Sequence, residues 1–188
     1  MSYAFNALGL SHKFMAERLT EGSVCIDGTA GRGRDTLFLS RLVGDEGKVI
    51  AFDIQEEAVE STRSLLSENG VKNAEVYLCC HSRMDEYAKD GTVDGIMFNF
   101  GWLPGGDHNA FSKGETSVIA IEKGLRLLKP GGVMTLCLYY GKENGTEERD
   151  AILAYLKTVD SKAYSVFLGD FINRTSCPPM PVFIEKHL

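Results

Sequence analysis

The chain has 188 residues, 44% of them hydrophobic and 24% charged, which allows one sizeable core, is short for two, and is ordinary for a globular domain. A formal net charge of −6 excludes a broad nucleic-acid-binding face, so any contact with RNA has to be local. No apolar run reaches the roughly 18 residues of a membrane span and the opening residues lack a charged-then-apolar signal pattern, so a cytoplasmic protein of one domain, residues 1–188, is expected.

Ser11 is expected to cap a first helix that carries Phe14, Met15 and Leu19, with His12 just ahead of it. A strand over 23–27 leads into a glycine-rich loop and a helix through Leu37, Phe38 and Leu42. A second strand over 48–52 ends on Asp53, and its helix carries Val59, Leu65 and Leu66 until Asn69 and Gly70 stop it. A third strand, 75–79, runs into Cys80, His81 and Ser82, and a fourth, 93–98, ends at Asn99. A helix holding Ile119, Ile121, Leu125 and Leu128 halts at residues 129–132, before a fifth strand over 133–140. A helix over 147–159 turns Ile152, Leu153, Leu156 and Val159 inward.

The last two strands, 164–171 and 181–186, are joined by only a short loop containing Cys177, Pro178 and Pro179. Parallel neighbours need a longer crossover, so these two are expected to pair antiparallel. The order predicts an α/β fold with a mostly parallel seven-stranded sheet, an antiparallel C-terminal hairpin and helices on both faces. Cys25, Cys79, Cys80, Cys137 and Cys177 form no C-x-x-C pair, so neither a zinc site nor a disulfide framework is expected.

Residues 27–36, Asp-Gly-Thr-Ala-Gly-Arg-Gly-Arg-Asp-Thr, end a strand on a carboxylate and clear space with glycines where a helix begins. Such a loop lets backbone and helix N-terminus approach a ligand, and Asp53 stands at the next strand end, where these folds bind ribose hydroxyls. A dinucleotide fingerprint fits Gly31 and Gly33 but needs Gly or Ala where Thr36 stands. An NAD-dependent oxidoreductase is therefore disfavoured, and a catalytically silent binding module stays as an alternative.

The loop resembles the first motif of class I S-adenosylmethionine-dependent methyltransferases, D-x-x-x-G-x-G, and the resemblance implies a Rossmann-like fold with that cofactor. Carried onto this sequence, it implies cofactor contacts from Asp27, Thr29, Gly31, Gly33, Asp35 and Thr36, with Asp53 and Ile54 at the ribose. It also implies His81 and Ser82 at the adenine, with Met84 either walling the adenine or packing in the core. Asn99 is expected beside the transferred methyl, because ligands of such sheets lie outside the carboxyl ends of the strands.

Asn99-Phe100-Gly101-Trp102 resembles the Asn-Pro-Pro-Tyr device of amino-methylating relatives, with Phe-Gly in place of Pro-Pro. Asn99 would accept a hydrogen bond from the amine and aim its lone pair, and Trp102 would stack a flat base beside Gly105, Gly106 and His108. An alkylamine is protonated at neutral pH, so desolvation, Asp107 or His108 must remove its proton, and Asp107 is the catalytic candidate.

The strings 27–36 and 99–107, with the Pro178-Pro179 ending, look like a small bacterial family labelled rRNA methylases. Its characterised members methylate the aminomethyl group of a modified wobble uridine in tRNA. The resemblance thus implies a tRNA substrate, with an rRNA base amine or a small-molecule amine as alternatives. Local positive charge stands at Lys13, Arg18, Arg32 and Arg34. His12 is expected either at the site's mouth or in a capping or solvent role. Asn173 and Arg174 either touch substrate or lie at the opposite edge of the sheet. The chain is read as a monomer or a homodimer, without a metal.

Overall fold

The computed structural model describes residues 4–101, 114–141 and 143–188. The elements in chain order are α1 (Ala7–Arg18), β1 (Val24–Asp27), α2 (Arg34–Val43), β2 (Lys48–Asp53), α3 (Glu56–Glu68), β3 (Ala74–Leu78), a 3-10 turn (His81–Glu86), β4 (Val93–Phe100), α4 (Gly114–Leu127), β5 (Leu128–Leu138), α5 (Glu143–Leu156), β6 (Tyr164–Leu168) and β7 (Met180–Lys186). No helix among the described residues is long and apolar enough to cross a membrane.

The seven strands lie in the order β3-β2-β1-β4-β5-β7-β6. The first five run parallel, while β7 enters antiparallel between β5 and β6. The expected α/β sheet with its antiparallel ending is what forms, and β7 rather than β6 pairs with β5.

Strand alternation divides the core. Cys25, Val49, Met97 and Val133 point to one face, where Met15 of α1, Leu19 at its C-cap, and Leu39 and Val43 of α2 cover them. Their neighbours Ile26, Ile50, Ile96, Phe98 and Met134 point to the other, against Ile121 of α4 and Ile152 of α5. A sheet buried on both faces needs such continuous apolar runs, which is why the strands lack polar alternation.

The first helix starts earlier than its sequence pattern indicates. Asn6 is the cap, its Oδ1 accepting the Gly9 amide hydrogen at 2.8 Å. Ser11 is not a cap but a buried residue of the second turn, 3.5 Å from Cys137 Sγ. Both are cap-type residues, and packing on β5 decides between them. His12 consequently lies within the helix. Further along, Leu128 opens β5 instead of closing α4, and α5 begins at Glu143.

Candidate functional site

The glycine loop folds around the carboxylate that ends β1. Asp27 is fully buried; its Oδ1 accepts the Thr29 amide hydrogen at 3.1 Å and its Oδ2 the Thr36 hydroxyl hydrogen at 2.6 Å. Burial, together with the negative Asp35 nearby, pushes its carboxyl up to about 7. Gly31 and Gly33 take left-handed conformations at φ 55° and 78°, and a Cβ on Gly33 would lie 2.9 Å from the Thr62 backbone. Glycine is required there.

Asp53 at the tip of β2 clamps the same loop. Its Oδ2 accepts from the Gly31 amide and its Oδ1 from the Gln55 amide, both at 2.9 Å. Each oxygen keeps a second lone pair for a hydroxyl. Ile54 beside it is 51% exposed, an apolar surface at the lip of a strand end.

Past β3, His81 turns back onto the loop, its Nδ1 donating to the Gly28 carbonyl at 3.2 Å. A carbonyl only accepts, so Nδ1 carries the hydrogen and Nε2 is a bare acceptor. Nε2 is buried without a partner among the described residues. The ring meets Phe98 and Phe100 edge to face, and burial pulls its pKa down to about 4. Ser82 donates to Cys80 Sγ at 3.1 Å, and Met84 is fully buried in the core, which settles its role as packing.

At the tip of β4, the Asn99 backbone amide donates to Thr29 Oγ1 at 2.7 Å and its side-chain Nδ2 donates to Asp35 Oδ2. Asn99 Oδ1 is buried and has no partner among the described residues. Asp35 Oδ1 in turn lies 2.7 Å from His12 Nε2, and the His12 ring stacks on Phe38 at 4.0 Å. Both Asp35 oxygens are thus engaged by protein, and His12 is neither a cap nor a solvent-facing group. This pairing joins residues far apart in sequence. The one local sign of it is that a helix starting at Asn6 buries Ala7, Ser11 and Met15, and His12 flanks that stripe.

The structure brings together Asp27, Thr29, Gly31, Gly33, Asp35, Thr36, Asp53, Ile54, His81 and Asn99 at the carboxyl ends of β1, β2 and β4. Trp102, Gly105, Gly106, Asp107 and His108 lie outside the described residues. The β6–β7 loop falls at the same carboxyl edge, because Leu168 pairs with Val182 while Met180 pairs with Leu138. There Arg174 stacks over Phe171 at 4.1 Å and donates to the Phe5 carbonyl at 3.1 Å.

S-adenosylmethionine fits this donor and acceptor set. Its ribose diol and adenine amine are hydrogen donors, and the Asp53 carboxylate and His81 Nε2 at this edge are acceptors that suit them. The missing side chains of Gly31 and Gly33 leave the backbone approachable.

Known proteins agree. A family described as "Putative rRNA methylase" matches residues 49–185. The chain is 36% identical over 190 residues to the chloroplastic tRNA (mnm5s2U34)-methyltransferase of Arabidopsis thaliana, spanning 96% of this chain and 69% of that protein. An rRNA-methylase crystal structure from Clostridium thermocellum is 40% identical with a TM-score of 0.95, covering 98% of this chain and all (100%) of that one. A methyltransferase from Streptococcus mutans, crystallised with SAH, is 35% identical with a TM-score of 0.89, covering 97% and 99%.

Proposed function

Since the chain belongs to the rRNA methylase family of S-adenosylmethionine-dependent methyltransferases, we propose that it methylates the aminomethyl nitrogen of a modified wobble uridine in tRNA. The observation that carries this reading is the buried Oδ1 of Asn99 at the tip of β4, which has no partner among the described residues. An acceptor there suits a nitrogen that still bears hydrogens, and the Arabidopsis relative is named for a modified uridine with such an amine.

The cofactor supplies a methyl group on a sulfonium, open to in-line displacement. The chain's part is to bind and aim. Asp53, clamped to the loop through the Gly31 amide, would hold the ribose, His81 Nε2 would accept from the adenine amine with Ser82 beside it, and Asp27 shapes the loop through Thr29 and Thr36. Asn99 Oδ1 accepts one amine hydrogen and directs the lone pair at the methyl carbon, which needs an approach of about 3 Å. In solution such an amine has a pKa near 10, so a proton must leave first. By the sequence resemblance, Asp107 would take it, and Trp102, Gly105, Gly106 and His108 would serve the substrate.

The Phe5, Phe171 and Arg174 cluster supports an RNA loop as the carrier of that base. Phe5 is 75% and Ile172 96% exposed, and aromatic faces with a guanidinium suit single-stranded bases. Asn173 adds a polar contact.

The test is to incubate the protein with cofactor and tRNA from cells lacking it, then digest to nucleosides for mass spectrometry. A gain of one methyl on the aminomethyl uridine is expected. Methylation of rRNA but not of tRNA, or no gain on any nucleoside, would overturn the reading.

A further inference from the structure

A side-chain amide has two ends of nearly equal size and opposite polarity. Turned one way, Asn99 offers a carbonyl oxygen to the incoming amine; turned the other, it offers an NH2 that repels it. Nothing in the shape of the residue chooses between the two, so a neighbour must.

We propose that Asp35 and His12 are positioning residues that lock the Asn99 amide with its oxygen towards the methyl acceptor. The proposal rests on the reading of Asn99 as the amine's hydrogen-bond acceptor. The backbone of Asn99 is pinned by Thr29 Oγ1 at 2.7 Å, leaving only the amide end free to turn. An ionised carboxylate accepts and never donates, so the group facing Asp35 Oδ2 must be the Asn99 NH2. Oδ1 is thereby forced away from Asp35, and it is the end left without a partner among the described residues.

Asp35 needs support for this. It is buried, and a buried carboxylate needs hydrogen-bond donors to hold it in place. His12 Nε2, 2.7 Å from Asp35 Oδ1, supplies such a donor and fixes the carboxylate's orientation. Its ring is held parallel to Phe38 at 4.0 Å and 14°. Phe38 and Asp35 share α2, so the carboxylate and the ring that supports it move as one unit. Three elements, α1, α2 and β4, thus meet in a hydrogen-bonded line ending at the site.

The test combines NMR of protein labelled at asparagine nitrogen with kinetics on tRNA. The Asn99 side-chain amide, assigned by its disappearance in Asn99→Ser, should show one proton shifted downfield and protected from exchange. In Asp35→Ala, and in the space-filling Asp35→Leu, that signature should vanish and kcat should fall about ten- to a hundredfold. Affinity for S-adenosylmethionine by calorimetry and KM for tRNA should stay within about threefold, since both Asp35 oxygens are taken by His12 and Asn99 rather than offered to a ligand, and neither constant depends on the flip of Asn99. His12→Phe should follow Asp35→Ala in part, while His12→Gln, whose amide can still donate to Asp35, should restore most of kcat.

An Asn99 signature unchanged in Asp35→Leu would overturn the proposal. So would a His12→Gln enzyme no better than His12→Phe, or a kcat loss matched by equal losses of cofactor affinity and melting temperature. Failure of the wild type to methylate tRNA removes the proposed substrate instead, and the amide signature then decides the positioning claim alone.

Discussion

Gly28 lies against the face of the cofactor loop's aromatic wall: a Cβ on it would sit 2.1 Å from Phe98 Cε1. The ring cannot easily retreat, because it is stacked on Phe100 at 4.9 Å and has His81 edge-on against both. Gly28→Ala is therefore expected to lose about 1 to 3 kcal/mol of stability by overpacking. Urea unfolding measures it. A loss below about 0.5 kcal/mol, the usual scatter of surface changes, would show that the ring swings aside.

Asp53 serves two backbone donors with two oxygens. An amide offers a single acceptor atom, so Asp53→Asn should orphan the Gly31 or the Gln55 amide and raise the cofactor Kd about tenfold or more. Asp53→Ala should cost more. Calorimetry with S-adenosylmethionine reads both, and an unchanged Kd in Asp53→Ala would remove the residue from the cofactor site.

Two buried groups pull the pH dependence of stability in opposite directions. Asp27 keeps its proton to about 7 in the folded protein, against about 3.9 unfolded. Its contribution is therefore full at low pH and is lost as pH rises towards 7. His81 stays neutral down to about 4 when folded, against about 6.5 unfolded. Its contribution is full above 6.5 and is lost as pH falls towards 4. Between about pH 4 and 6.5 the native state holds one extra proton on Asp27 and the unfolded state one on His81, so the two slopes nearly cancel.

Removing either group should expose the other. The Asp27→Asn protein should lose stability as pH falls from 6.5 to 4, with a slope approaching about 1.4 kcal/mol per pH unit. The His81→Phe protein should gain stability over the same interval. Denaturant midpoints of the cofactor-free protein across that range give both slopes, and parallel profiles for the two variants would contradict the assignment.

Arg174 and Phe5 lie beyond the cofactor contacts but on the same edge of the sheet. Arg174→Ala and Phe5→Ala should weaken binding of an anticodon stem-loop about 5- to 100-fold, the range of one lost base stack. Cofactor affinity should be unaltered. Fluorescence anisotropy with a labelled stem-loop tests this, and full affinity in both variants would move the RNA elsewhere.

Local rules were enough to read much of this protein. Continuous apolar runs separated by helical stretches announced the parallel sheet, and the short link between residues 171 and 181 announced antiparallel neighbours. Asp27, Gly31, Gly33, Asp53 and Asn99 were legible as neighbours at one edge of the sheet because strand ends and glycine turns are written in consecutive residues, and the sheet's topology brings those ends together.

Folding alone decided the rest. It chose Asn6 over Ser11 as the first cap, set β7 between β5 and β6, and so brought residues 169–179 to the cofactor edge. It also joined His12 to Asp35 and Asp35 to Asn99, and turned His81 onto Gly28. Those contacts span 23 to 64 residues of chain. No periodicity encodes them, since they exist only because burying both faces of one sheet forces α1, α2 and the tip of β4 against one another.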